Sequence, residues 1–312
     1  MPRLSPRIAI VQFQPKIGQV QANTAKAREL CRGIPPRSVD LICLPEMAFS
    51  GYSFDSAAHI EPYLESPHTG PTSRFCADLA RSHGCYVAAG YPERVAPSEV
   101  ERYGKDTATG TNLVGANSAM LYGPEGECVG TYRKTNLFRT DKTWAIPGTG
   151  FTTFELPPPL GNVTLAICMD LNAMPPHEWT VAEGPYELAD YCLEAKTNVL
   201  VLLNAWLDSR VTPEDKYDQL TIDFWARRLR PLWHEESPSS SSLSTGDSES
   251  QQQETCVVVC NRGGVEMETK FAGSSAIFRM RKGRGKSGIL RAALEREAEE
   301  VLVWDCGSDE TS

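Results

Sequence analysis

VTLAICMDLNAM, residues Val163–Met174, decides how the rest of the chain is read. Val163–Ile167 is a short apolar, partly β-branched run of the kind that forms a buried strand. It leads directly into Cys168, Met169 and Asp170, and Pro175-Pro176 then forces the chain to turn. A cysteine at the end of a buried strand, followed at once by a turn, is held by rigid backbone with its sulfur facing out of the sheet end. Strand-to-helix elbows present a nucleophile in this way. The competing reading is a small buried core residue, which most free cysteines are.

Two other stretches bear on that choice. DLICLPEMAFSG, residues Asp40–Gly51, is an apolar strand, a proline and then Glu46 in a loop. GTYRKTNLF, residues Gly130–Phe138, puts Lys134 just after a strand. Each polar residue sits where a strand stops, and open α/β sheets gather their chemistry at strand ends.

The 312 residues are 41% hydrophobic, enough for a sizeable core, and carry a formal net charge of −9. That acidic balance argues against a nucleic-acid partner and against an anionic membrane surface. No apolar run approaches a membrane span, and the first strand begins too early for a signal peptide, so a cytoplasmic or nuclear protein is expected. The ten cysteines are scattered, without a C-x-x-C pair, and read as reduced core residues. Cys256 and Cys260 flank three valines and face one side of an extended strand. No metal site is expected, since neither they nor the five histidines have ligand spacing.

Working outward, strands are expected at 7–14, 39–44, 86–91, 112–122, 128–132, 151–156, 163–167 and 199–203, then at 255–259, 264–268 and 275–280. Helices are expected from an Asn23 cap to about Cys31, over 72–83, over 186–196 and over 213–229 with Pro213 at its start. Residues 94–110 read as an irregular surface loop, 279–286 (RMRKGRGK) as a solvated basic run, and 289–304 as helix then strand. Residues 236–254 are a Ser/Gln-rich stretch without the apolar content to fold, expected to be a dispensable insertion in a single domain spanning 1–312. Two halves, each mixing strands with flanking helices, predict a layered α/β sandwich.

Glu46, Lys134 and Cys168 together have the composition of an acyl-transfer site. A thiol of ordinary pKa needs a proton acceptor to attack well at neutral pH, and Glu46 in a dry site could be that acceptor. Lys134 could orient Glu46 and help neutralise an oxyanion, with the backbone N–H of Met169 as second donor. Taken singly, each is an ordinary loop acid or lysine.

Their order and surroundings resemble the nitrilase, or carbon–nitrogen hydrolase, superfamily. The matches are LICLPEMAFSGY around Glu46, GTYRKTNLF around Lys134 and LAICMDLN around Cys168, with IAIVQFQPKIGQVQANTAKA similar to the family's opening strand. The resemblance implies a four-layer αββα sandwich, a catalytic Glu46–Lys134–Cys168 triad, and no cofactor or metal. CMDLN with its proline-containing loop, PYELADYCLEAKTNVLV and LNAWLDS resemble most the branch that deamidates N-terminal Asn and Gln, which would feed an N-degron pathway. Leu171–Pro175 and Lys134–Leu137 depart from the patterns of the ureidopropionase and omega-amidase branches. Peptide or protein N-termini are then the expected partners, and the oligomeric state is left open. Asp141 and Asp170 are the candidates to read the substrate α-amino group, and Trp144 and Trp206 to wall its first side chain. The alternatives are a small-molecule amidase or carbamoylase, and a catalytically dead, nitrilase-like interaction protein.

Overall fold

A computed structural model describes residues 5–106, 109–235, 253–282 and 289–307. Its first half runs β1 (Arg7–Gln12), α1 (Val20–Cys31), β2 (Leu41–Cys43), α2 (Ala57–Ile60), α3 (Pro71–His83), β3 (Tyr86–Arg94), α4 (Pro97–Tyr103), β4 (Gly115–Tyr122) and β5 (Cys128–Arg133). The second half runs β6 (Thr152–Glu155), β7 (Asn162–Ile167), α5 (Glu187–Glu194), β8 (Val199–Asn204), α6 (Gln219–Arg228), β9 (Glu254–Asn261), β10 (Val265–Glu266), β11 (Thr269–Lys270), β12 (Ala276–Arg281), β13 (Leu290–Ala293) and β14 (Glu300–Asp305).

The strands form two six-stranded sheets, β14-β1-β2-β3-β4-β5 and β13-β12-β9-β8-β7-β6. Each has a parallel trio at its centre, β1-β2-β3 and β7-β8-β9, with antiparallel strands outside it. Parallel strands deliver their C-terminal ends to one edge, and Glu46, Cys168 and Asn204 all lie at such ends.

Side-chain alternation explains the layering. Ile8 and Ile10 face the other sheet, meeting a core that includes Leu165, Ile167, Val201 and Val258, while Ala9 and Val11 face outward with Ala27 of α1 and Phe75 of α3. On the second sheet Leu200 and Leu202 face outward with Leu188 of α5 and Trp225 of α6. The result is an αββα sandwich, as the resemblance implied. Cys256 and Cys260 both enter the inter-sheet core, with Cys256 Sγ 3.1 Å from Cys306 Sγ. All ten cysteines are free. No described helix is long and apolar enough to cross a membrane.

Several elements differ from expectation, each for a local reason. Asn23 does not cap α1. It is buried inside the helix, where its amide accepts the N–H of Lys16 and donates to the carbonyls of Lys16 and Phe49. The expected loop after β3 contains α4, whose Val100 and Tyr103 are exposed; with no buried face it leaves no amphipathic signal. Helix α6 starts at Gln219 and not at Pro213, because Asp218 is the cap and accepts the N–H of Thr221. Residues 264–268 belong to the small β10–β11 hairpin. Residues 289–304 hold two strands and no helix: β13 extends the second sheet and β14 crosses to pair with β1 in the first. Edge pairing overrides the helix-favouring composition there. Arg279 is buried in β12 and paired with Glu254, so the basic run does not begin as a solvated loop. Residues 283–286 of that run, and 236–252 of the Ser/Gln-rich stretch, lie outside the described residues.

Candidate active site

Three strand ends converge. Glu46 follows β2, Lys134 follows β5 directly, and Cys168 follows β7 directly. Two of the three sites are sharp turns: Cys168 has φ 44° and Met47, next to Glu46, has φ 52°. Left-handed backbone at non-glycine residues is held only where the surroundings over-determine it. Glu46 and Lys134 are fully buried and Cys168 is nearly so.

The polar contacts form one network. Lys134 Nζ donates to Glu46 Oε1 and to Asp141 Oδ2, both at 2.7 Å. An ammonium has three N–H groups, so one is left over for a ligand. Asn117 Nδ2, from β4, donates to Glu46 Oε1 at 2.7 Å and to Asp141 Oδ1 at 2.9 Å, holding apart two carboxylates that would otherwise repel. Glu46 Oε2 accepts the backbone N–H of Ala205, just past β8, at 2.7 Å. That oxygen keeps acceptor capacity for a proton.

Burial raises the Glu46 pKa, and neighbouring Asp141 adds to this, while Lys134 opposes it. Burial by itself would lower the Lys134 pKa, but Asp141 and Glu46 outweigh it and keep the lysine charged. Burial, then Glu46, pushes the Cys168 thiol up, with Lys134 and the Ala205 N–H opposing. The resting site therefore holds a neutral thiol, a carboxylate with raised proton affinity and a fixed ammonium. That set can move a proton from sulfur to Glu46 as the sulfur attacks.

Asp141 and Asp170 sit in the site with their oxygens committed. Besides Lys134 and Asn117, Asp141 accepts the Phe138 N–H at 2.9 Å. Asp170 accepts the N–H groups of Thr135 and Asn136 on one oxygen, and the Ile167 N–H and Tyr132 hydroxyl on the other. It thus clasps the lysine loop to the cysteine elbow. An α-ammonium at either carboxylate would join or displace these donors. Trp144 is fully buried in the cluster with Met47, Phe54 and Ala205. Trp206 is half-buried against Phe224 and Trp225. Met169 is half-buried, its carbonyl accepting from Asn136 Nδ2.

Sequence reading did not single out Asn117, Tyr52, Gly90 or Asn204. Asn117 left one signal, a carboxamide beside Ser118 in the mostly apolar strand GANSAMLY, every residue of which is buried. Tyr52 lies with its ring 5.7 Å from Lys134 Nζ and edge-on to Phe271, and its N–H is held by Glu266. Gly90 lets β3 approach the Glu46 loop: a Cβ there would lie 2.5 Å from Glu46 Cα. Among the described residues no group of three His, Cys, Asp or Glu side chains is arranged to hold a metal.

Known proteins share this framework. Residues 7–174 match the carbon-nitrogen hydrolase family. Over 305 residues, 92% of this chain and 96% of the relative, the chain is 30% identical to the protein N-terminal amidase of Schizosaccharomyces pombe. It is 26% identical to the protein N-terminal amidase of Saccharomyces cerevisiae over 66% of this chain and 46% of that protein. The crystal structure of an N-terminal amidase, also solved with a Gln-Gly peptide, superposes with a TM-score of 0.75 at 18% identity, covering 97% of both chains.

Proposed function

The chain belongs to the carbon-nitrogen hydrolase family, and on that footing we propose that it is a protein N-terminal amidase, converting N-terminal Asn and Gln of peptides or proteins to Asp and Glu with release of ammonia. The observation that carries this reading is the end-to-end likeness to the Schizosaccharomyces pombe amidase. The converging Glu46, Lys134 and Cys168 support it from the side of chemistry.

In this mechanism the Cys168 thiol gives its proton to Glu46 Oε2 as the sulfur attacks the side-chain amide carbon. The third N–H of Lys134 and the backbone N–H of Met169 stabilise the oxyanion. When the carbon–nitrogen bond breaks, Glu46 returns the proton to the departing nitrogen, and ammonia leaves behind a thioester. Glu46 then deprotonates water, which attacks the thioester and restores the thiol with an acid as product. Asp141 orients Lys134, Asp170 fixes the two loops, and Trp144 and Trp206 supply apolar walls for the first side chain. The chain acts as a single domain in the cytoplasm or nucleus, where its Asp and Glu products would enter an N-degron pathway.

The test is ammonia release from Asn- and Gln-initiated peptides, free and N-acetylated. The free peptides should turn over and the acetylated ones should not, because a site built around a charged α-ammonium discriminates strongly against its loss. Equal rates would make the protein a broader amidase, and no release from either would make it a catalytically dead relative. Cys168→Ala, Glu46→Gln and Lys134→Ala should each abolish turnover in folded protein. A folded Lys134→Ala enzyme at the wild-type rate would remove Lys134 from the mechanism.

A further inference from the structure

Cys256 lies in β9, in the interior of the second sheet, with Val199 of β8 and Arg279 of β12 beside it. Cys306 follows the last residue of β14, the edge strand of the first sheet, and its N–H donates to the Pro6 carbonyl at 3.0 Å. The two sulfurs meet between the sheets at 3.1 Å. A disulfide bond is about 2.0 Å long, so closing this contact to a covalent bond takes a movement of about 1 Å. No other two thiols among the described residues are in hydrogen-bond contact. The pair also sits at the margin of the core. Cys256 and Cys306 keep 7% and 8% exposure, whereas Cys43 and Cys260 in the same core have none, so a small oxidant can reach this pair first. The contact joins an edge strand to a sheet interior. An edge strand is hydrogen-bonded on one side only, and β14 has β1 as its single strand partner.

We propose that Cys256 and Cys306 form a disulfide when the protein meets a peroxide, and that this bond clamps the C-terminal edge strand to the second sheet. The Cys306 sulfur attacks one peroxide oxygen, the O–O bond breaks, and water leaves a sulfenic acid on Cys306. The Cys256 sulfur then attacks the Cys306 sulfur, and the hydroxyl departs with the Cys256 proton as a second water. Two thiols lose two electrons and two protons, and hydrogen peroxide becomes two waters. Cys306 reacts first because it stands beyond a strand end with room to move, whereas Cys256 is held in the ladder from both sides. The bond closes a loop between residues 50 positions apart, which restricts the unfolded chain. It lies away from the reaction: Cys256 pairs with Val199 at the start of β8, and Val199 with Val163 near the start of β7, at the far end of the strand from Cys168.

The test reads the bond itself and does not depend on the substrate. The full-length protein is reduced, freed of reductant and exposed to hydrogen peroxide at rising concentration. Remaining thiols are blocked with iodoacetamide, and the protein is digested without reductant for peptide mass spectrometry. The expected product is a Cys256–Cys306 peptide pair that dithiothreitol separates. The melting temperature of the oxidised protein should rise by about 5 °C and return on reduction. Cys256→Ser and Cys306→Ser, each melted before and after peroxide, should show no rise. Oxidation of Cys168 is mapped in the same digests and is common to all three proteins, so it does not account for a rise confined to wild type. Cys256 and Cys306 left unlinked at every peroxide concentration would overturn the proposal, and this result needs only the wild-type protein, whether or not the serine variants fold. A linked pair with an unchanged melting temperature, or a rise that persists in either serine variant, would overturn the clamp.

Discussion

Asn117 meets both carboxylates of the site through one NH2 group, and this is one of the contacts that act on the proton affinity of Glu46, behind burial and Lys134. Its donation to Glu46 favours the anion, opposing the upward push of burial and Asp141. On the proposed mechanism Glu46 must be ionised to take the thiol proton, so kcat/KM should rise with pH through a limb above the ordinary carboxylate range. Asn117→Leu strips the donor from both acids, and the limb should move to higher pH. A pH–rate profile on an Asn-initiated peptide checks this, and an unmoved limb would mean that Glu46 is not the titrating base. Asp170 tests a different residue-scale idea. Its two oxygens face three N–H groups and a hydroxyl. Asp170→Asn would turn an NH2 toward donors, so unfolding in urea should show a loss of about 3 kcal/mol, with activity falling alongside.

At the scale of elements, the site depends on how closely β3 can lie against the loop after β2. The Gly90 N–H donates to the Pro45 carbonyl and its own carbonyl accepts the Ala48 N–H, which closes the loop around Glu46. The three atoms nearest a Cβ at Gly90 are all backbone, the closest at 2.5 Å, so no side-chain rotation relieves the clash. Gly90→Ala must therefore displace Glu46. We expect a stability loss of about 1–3 kcal/mol and a fall in kcat/KM of at least about tenfold, since catalysis is sensitive to small misplacements. Near wild-type kinetics in this variant would show that the position of Glu46 tolerates movement. The C-terminal elements act at the same scale. Glu266, at the end of β10, accepts the N–H groups of Tyr52 and Ser53, so the small β10–β11 hairpin holds the loop that follows Glu46.

For the whole molecule, a buried acid outside the site links stability to pH. Glu65 accepts the N–H and the hydroxyl of Thr72 at the start of α3. Burial, the larger effect, raises its pKa from 4.5 to about 7. The folded protein then binds this proton more tightly than the unfolded chain does. The destabilisation is fully present above the folded value and disappears below the unfolded one, so stability should rise as pH falls between them. The two values bound this contribution at about 3 kcal/mol. Glu65→Gln keeps a neutral acceptor and should flatten that part of the pH dependence. Urea unfolding at pH values from about 4.5 to 7 measures it, and an unchanged slope would assign the pH dependence to other groups.

The sequence by itself determined the family and most of the elements. VTLAICMDLNAM contains both the strand and the turn, because strand patterning and proline punctuation are local properties, and the motifs around Glu46 and Lys134 stand at strand ends for the same reason. Buried central strands such as β7 and β8 were legible because every residue contributes to an apolar run. The signals failed where pairing across the fold overrides local preference, as at β13 and β14, and where an element has no buried face, as at α4. Only the tertiary structure decided what each polar side chain touches. Asn117 and Glu46 are 71 residues apart, and Cys168 and Asn204 36 apart, yet each pair shares a hydrogen bond at 3.0 Å or less. No local pattern encodes such contacts: they arise when two parallel trios bring their C-terminal ends to the same buried place, where each donor must find an acceptor or be kept for the substrate.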